Sequence, residues 1–285
     1  MAPLTAYKHP LAFYALAIFI PWGFWLWAGN LSHADAPNMA LVSALGLTGL
    51  LAPMLIAFWF MFKSRALRAD FWSRFTNLRG TRPVYLFLTC FLMLTSILLA
   101  QAISVLFGYS PAQFTITGSY TFTSGVFPVW FLLIMAPLIE ELAWHSYGTD
   151  CLRARFSLFT SSIIFSFYWG IWHIPLGSIN GYYQSHLVEA GWVHAVNFLV
   201  SIFPFVIIMN WLYYKTGRNM LVPVVFHISA GYFNEIFATH PDSKVIQTGL
   251  LIIFAIVIVM REKDFFFSKT PKAQHPASVP FPLGG

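Results

Sequence analysis

Four ionisable side chains fall in apolar stretches of this chain where other charges are scarce: Glu140, Glu141, His173 and His227. On insertion scales an ionisable group at membrane depth costs at least ~2.5 to 3.5 kcal/mol, so such groups normally face a cavity and act there. Their contexts are Pro137-Leu138-Ile139-Glu140-Glu141-Leu142-Ala143-Trp144-His145, Trp169-Gly170-Ile171-Trp172-His173-Ile174-Pro175, and a third run that carries His227, Gly231, Asn234 and Glu235.

Neighbouring residues on a helix point about 100° apart, so Glu140 and Glu141 cannot both face one partner squarely. One is expected to react while the other braces. Glu141 and His145 are four apart and share a face, where an ion pair or hydrogen bond would hold the second carboxylate. His173 follows Trp169 and Trp172 and precedes Pro175, which predicts a bent backbone and an imidazole held against aromatic walls. His227, Gly231 and Asn234 form one stripe, with the glycine leaving room beside the histidine, as a cavity wall requires. Glu235 falls near a helix end, where contact with water is the simplest reading.

A carboxylate and a histidine in such a setting can together activate water. A second histidine can then stabilise the oxyanion that forms when water attacks a peptide carbonyl. Glutamate with two histidines is also a possible zinc ligand set with an open position. No H-E-x-x-H is present, so the sequence leaves metal open. The bland alternative is a buried charge network that only joins helices.

The elements that must position these groups follow from composition. Of 285 residues, 58% are hydrophobic and only 9% charged, against about a quarter charged in soluble domains. A water-soluble fold is excluded, and an all-α polytopic membrane protein is expected. A bilayer core of roughly 30 Å needs about 20 apolar helical residues. Eight such stretches occur, at 10–29, 39–62, 84–108, 126–147, 157–177, 192–214, 219–238 and 245–260. With the N-terminus in the cytoplasm, fifteen of the 16 Lys and Arg residues fall on the inner side and only Lys244 falls outside, as the positive-inside bias predicts. Both termini are therefore expected in the cytoplasm, in a bacterial-type inner membrane. The net charge of +6 belongs to these loops, and the partners expected are the lipid bilayer and a peptide or protein substrate, with no nucleic acid.

The chain reads as one helical membrane domain over 1–267 with a chemically active core at 126–238. The tail 268–285, rich in Pro and Lys, is expected to be disordered. Between Lys63 and Arg82 basic residues alternate with Leu67, Phe71 and Trp72, which suits either a short interfacial helix or a solvated loop. Ala34-Asp35-Ala36 resembles a signal cleavage site, but the preceding apolar stretch is long enough to stay as an uncut span. Cys90 lies in a span and Cys151 in a basic loop, too far apart to suggest a disulfide framework. His186, His194, His240, His9, His33 and His275 read as solvated. One difficulty concerns depth, since Glu140 lies near the inner end of its span and His173 toward the outer end of its own. A fourth helix continuing to about Arg155, or a re-entrant fifth segment, would bring them level.

The segment from Glu140 to Pro175 resembles the CAAX protease and bacteriocin-processing (CPBP) family of intramembrane peptidases. That family carries Glu-Glu-x-x-x-Arg, then aromatic-x-x-x-His, then His-x-x-x-Asn or His-x-x-x-Asp on a later helix. The counterparts here are Glu140 to His145, Trp169 to His173, and His227 to Gly231. The resemblance covers roughly 126–238. It implies an endopeptidase cavity open to the cytosol and a peptide bond cut near the inner membrane surface. Glu140 and His173 would activate water, Glu141 would support them and His227 would contribute to the oxyanion site, with His145, Trp169 and Asn234 in supporting places. Two positions depart from the pattern. His145 stands where the family has arginine, losing a permanent charge and a bidentate donor. Gly231 stands where it has Asn or Asp, and Asn234, one turn on, could substitute. A silent scaffold or immunity protein binding a peptide in the same cavity, and a proton-coupled transporter, are the competing readings. No inverted repeat supports the second.

Overall fold

The computed structural model describes residues 4–76, 81–117, 122 and 125–269. Every predicted span has its helix. These are α1 (Pro10–Ser32), α2 (Met39–Phe62), α4 (Pro83–Leu106), the run from α5 (Val129–Ala143) to α6 (Thr149–Arg153), α7 (Leu158–His173), α9 (Trp192–Lys215), α10 (Leu221–Ile236) and α11 (Pro241–Arg261). Shorter helices are α3 (Arg65–Thr76), α8 (Tyr183–Glu189) and α12 (Lys263–Phe267). The protein is an all-α polytopic membrane protein. Six of these stretches are long and apolar enough to cross a bilayer, with α5 to α6 counted as one. The other two, α7 and α10, have 16 residues each and at 1.5 Å per residue reach only about 24 Å.

Local sequence explains the helix starts. Proline occupies the first turn of α1, α4 and α11, where its missing N–H has no helical partner to lose. Asn38 and Ser157 accept from the backbone N–H of Leu41 and Thr160 at the starts of α2 and α7. Helix α7 stops before Pro175 and continues as a 3-10 turn over Ile174–Ser178. The fourth helix does not stop where its apolar run does. A π turn, Trp144–Gly148, joins α5 to α6, so one helical run of 25 residues extends to Arg153. That is the first of the two ways of bringing Glu140 level with His173.

Helix α1 packs on α2, α10 on α4 and α5, and both α7 and α11 on α9. Polar layers close both ends of the bundle. At the end bearing the basic loops, Asp150 and Arg74 are fully buried. Asp150 accepts from Arg74 at 2.9 Å, Arg218 at 2.5 Å and Tyr214 at 2.8 Å. Asp70 accepts from Arg218 at 2.9 Å and from the Tyr7 hydroxyl at 2.6 Å. Burial acts against the Arg218 charge, yet Asp150 holds the guanidinium well above its ordinary pKa. Arg74 also donates to the carbonyls of His145 at 3.1 Å and Ser146 at 2.8 Å, so α3 is stitched to the π turn. At the opposite end, Gln101 donates to Thr239 at 2.7 Å, Ser243 to Gln113 at 2.7 Å and Asn180 to Ser32 at 3.0 Å.

Of the two readings of the stretch after Lys63, the helical one is what forms, with Leu67, Asp70, Phe71 and Arg74 buried and Trp72 exposed. Two sequence expectations need correction. Cys151 does not lie in a loop, because the helix runs past it and buries it completely. Glu235 is not a water-facing helix end. It is buried and pairs with Lys244 at 3.1 Å, since the loop after α10 folds α11 back beside it. The tail expected to be disordered lies outside the described residues from 270 onward.

Candidate active site

Glu140 occurs near the middle of the 25-residue run from Val129 to Arg153. Its carboxylate receives two indole N–H groups on the same oxygen. Trp169 Nε1 donates to Oε2 at 2.9 Å and Trp144 Nε1 at 3.5 Å, the latter at the outer limit of a hydrogen bond. Oε1 has no protein donor among the described residues. Glu140 keeps 7% of its surface exposed, and Glu141, rotated by one position, keeps none.

Trp169 also reaches His173, because its carbonyl accepts from His173 Nδ1 at 2.7 Å. A carbonyl only accepts, so Nδ1 carries the proton and a neutral His173 presents Nε2 as a bare acceptor. One residue therefore orients both members of the expected pair, the acid through its side chain and the imidazole through its backbone. The aromatic walls are Trp172 at 4.9 Å and Phe198 at 5.3 Å from the His173 ring.

Glu141 stands behind this layer. His227 Nδ1 lies 2.8 Å from its Oε1, and His145 Nδ1 bonds to its Oε2. The predicted pairing four residues apart is therefore present. His145 Nε2 in turn lies 2.9 Å from Asn210 Oδ1. With Nδ1 turned to Glu141, His227 has Nε2 left for the cavity, and its ring meets Trp169 edge to face at 5.2 Å.

A cavity of about 500 Å³ is lined by Glu140, Trp169, His173, His227, Gly231 and Asn234. That is within the range of small-molecule and peptide sites. It runs on past Tyr183, His194 and Lys244, toward the end of the bundle opposite the basic loops. The walls are mainly apolar, and Phe205 and Leu133 close the cavity beside His227 and Gly231.

Each predicted site residue now has a place. Glu140, His173, His227, Trp169 and Asn234 meet at one cavity. Glu141 and His145 touch it only through His227, both being wholly buried. Asn234 lines the wall, but its Nδ2 donates to the Ala230 carbonyl at 2.8 Å, which commits one of its two donor hydrogens to its own helix. Gly231 has room, since a Cβ there would meet only Leu133 Cδ2, at 3.6 Å. His194, expected to be solvated, is instead a cavity residue with 18% of its side chain exposed, 3.9 Å from Asp242. Among the described residues no three His, Cys, Asp or Glu side chains are arranged to hold a metal ion. Glu140 is bonded to the indoles of Trp169 and Trp144, His173 to the Trp169 carbonyl and His227 to Glu141.

Asn210, Trp144 and the Glu235 to Lys244 pair escaped the sequence reading. Asn210 alone carried a usable signal, as a buried amide within an apolar run of α9.

Comparison with known proteins bears on the same stretch. The family model for Rce1-like type II CAAX prenyl endopeptidases matches residues 121–233. The chain is also 33% identical over 269 residues to CAAX prenyl protease 2 of Methanococcus maripaludis, across 93% of this chain and 99% of that protein.

Proposed function

Because the chain belongs to the CPBP family of membrane proteases, among its Rce1-like CAAX prenyl endopeptidases, we propose that Glu140 and His173 are the water-activating pair of an intramembrane endopeptidase. The observation that carries this is Trp169, which holds Glu140 Oε2 with its indole and His173 Nδ1 with its carbonyl. Glu140 Oε1 and His173 Nε2 are thereby left for a water between them. The water loses a proton to this pair as its oxygen attacks the peptide carbonyl, and the same proton passes to the departing amine as the carbon–nitrogen bond breaks. His227 Nε2, when protonated, donates to the oxyanion of the tetrahedral intermediate. Glu141 fixes the His227 ring through Nδ1 and does not meet the substrate.

The remaining details belong to the same proposal. Residues 1–267 act as one membrane unit around the core at 126–238. The cut is made at mid-depth, in a cavity whose open end lies away from the basic loops, rather than at the inner surface suggested by the motifs alone. The name of the methanococcal relative makes a prenylated CAAX peptide the first substrate to try, and the apolar walls suit one.

Replacing Glu140 with Gln in purified protein should abolish cleavage of such a peptide while the variant elutes and melts like the parent. Undiminished cleavage by Glu140→Gln would rule out the assignment.

A further inference from the structure

His145 is fully buried, and both of its ring nitrogens face oxygen. Nδ1 meets Glu141 Oε2, and Nε2 meets Asn210 Oδ1 at 2.9 Å. The polarity of the second contact is set one step further along. Asn210 Nδ2 lies 2.9 Å from Ser162 Oγ, and Ser162 commits its own proton to the Leu158 carbonyl at 2.9 Å. With that proton committed, Ser162 accepts from the Asn210 amide nitrogen, and Asn210 Oδ1 is the atom left for His145. An amide oxygen has no proton to give, so His145 Nε2 carries one. Glu141 has a ring nitrogen against each oxygen, His145 Nδ1 on one and His227 Nδ1 at 2.8 Å on the other, and as an ionised carboxylate it accepts from both. With Glu141 ionised, His145 Nδ1 carries a proton as well.

We propose that His145 works as an imidazolium that donates from both nitrogens, forming with Asn210 a positioning device for Glu141 and, through it, for the His227 ring. The inference rests on the reading of Glu141 as the brace of the active site. Charged and titratable groups around His145 agree with it. From its own helix it faces Glu141. From α9 it faces Asn210 and the Tyr213 ring, whose centroid is 4.8 Å away. Beyond Glu141 on α10 stands His227. Arg74 of α3 approaches only the His145 carbonyl, and its charge is met by Asp150 at 2.9 Å and Asp70 at 3.2 Å. A cation at this position keeps Glu141 from facing His227 as an uncompensated buried charge.

The test is selective 15N-histidine labelling of the full chain in detergent at neutral pH, with the His145 signals identified by their loss in His145→Gln. Two protonated ring nitrogens are expected, and a bare nitrogen at His145 would overturn the proposal. Kinetics give a second arm. His145→Arg should keep kcat within about fivefold, and His145→Gln and Asn210→Leu should each lose at least about tenfold in kcat with KM within about twofold. Equal activity in all of these variants would also overturn it. If His145→Gln fails to fold, His145→Arg, which also lacks that imidazole, identifies the parent's signals. The spectrum is independent of cleavage, so an active Glu140→Gln enzyme would sink the catalytic assignment and leave the His145 result standing.

Discussion

Replacing Trp169 with Phe separates the electrostatic part of the site from its packing. The indole is 3% exposed, lies nearly parallel to the Phe165 ring at 5.7 Å and also contacts Phe205 at 5.9 Å. Phenylalanine preserves a ring in that stack, and the backbone carbonyl still receives His173 Nδ1. What disappears is the 2.9 Å bond to Glu140 Oε2, and the surviving donor, Trp144 Nε1, lies 3.5 Å away. A hydrogen bond to an ionised acceptor contributes about 1.5 to 3 kcal/mol, so kcat should fall roughly 10- to 150-fold. KM should stay near its parent value, because the lost contact orients the acid and not the substrate. The assay is steady-state cleavage of a fluorogenic prenylated CAAX peptide by purified enzyme. Trp144→Phe serves as a control and should cost less than about threefold. A folded Trp169→Phe enzyme with kcat within twofold of the parent would refute the idea that Trp169 orients Glu140.

Three further outcomes follow from the same geometry. Gly231→Asn should fold normally, because a Cβ there meets only Leu133, and the added amide should raise kcat/KM by up to about tenfold; a loss of activity would show that the open wall is needed for substrate. Asp150→Asn leaves the Arg74 and Arg218 guanidinium groups with Asp70 as their remaining carboxylate among the described contacts, so stability should drop by about 3 to 5 kcal/mol, seen as a lower unfolding midpoint in detergent; an unchanged midpoint would count against the cluster as a stabilising unit. In a Cys90→Ser background, cysteines placed at Gln184 and at Ser64 should react with a membrane-impermeant maleimide from opposite sides of sealed vesicles, and labelling from one side would contradict the direction in which the cavity opens.

Much of this architecture could be read from the residues, and the exceptions have identifiable causes. Apolar run length located a helix in each of the eight long stretches but not the short α3, α8 and α12, because a bilayer demands about 20 such residues wherever the chain crosses it. It failed at the fourth helix, where the buried aspartate and arginines of the end cluster resemble a solvated loop until Arg74 and Arg218 are seen to meet Asp150. It failed again at Glu235, since nothing local foretells that Lys244 will fold back onto it. At the site, ionisable residues announced themselves through the cost of burying them, which is how Glu140, Glu141, His173 and His227 were found. Asn210 is neutral, costs less to bury and gave a weaker signal, yet its side-chain oxygen is the group that meets His145 Nε2. The pairing of Glu141 with His145 was legible from helix periodicity. The double use of Trp169 was not, because one of its two contacts is made by backbone.

The π turn at Trp144–Gly148 makes the length of this stretch a matter of angle rather than of reach. Each residue of an α-helix accounts for about 100° of rotation. Excising a single residue there would hardly shorten the bundle, but it would swing Asp150 off Arg74 and Arg218 while leaving Glu140 and Glu141 where they are. A one-codon deletion between 146 and 148 thus unfastens the far end of this helical run without removing Trp144 from Glu140 or His145 from Glu141, whereas an alanine substitution at an exposed position of the same helical run should pass almost unnoticed.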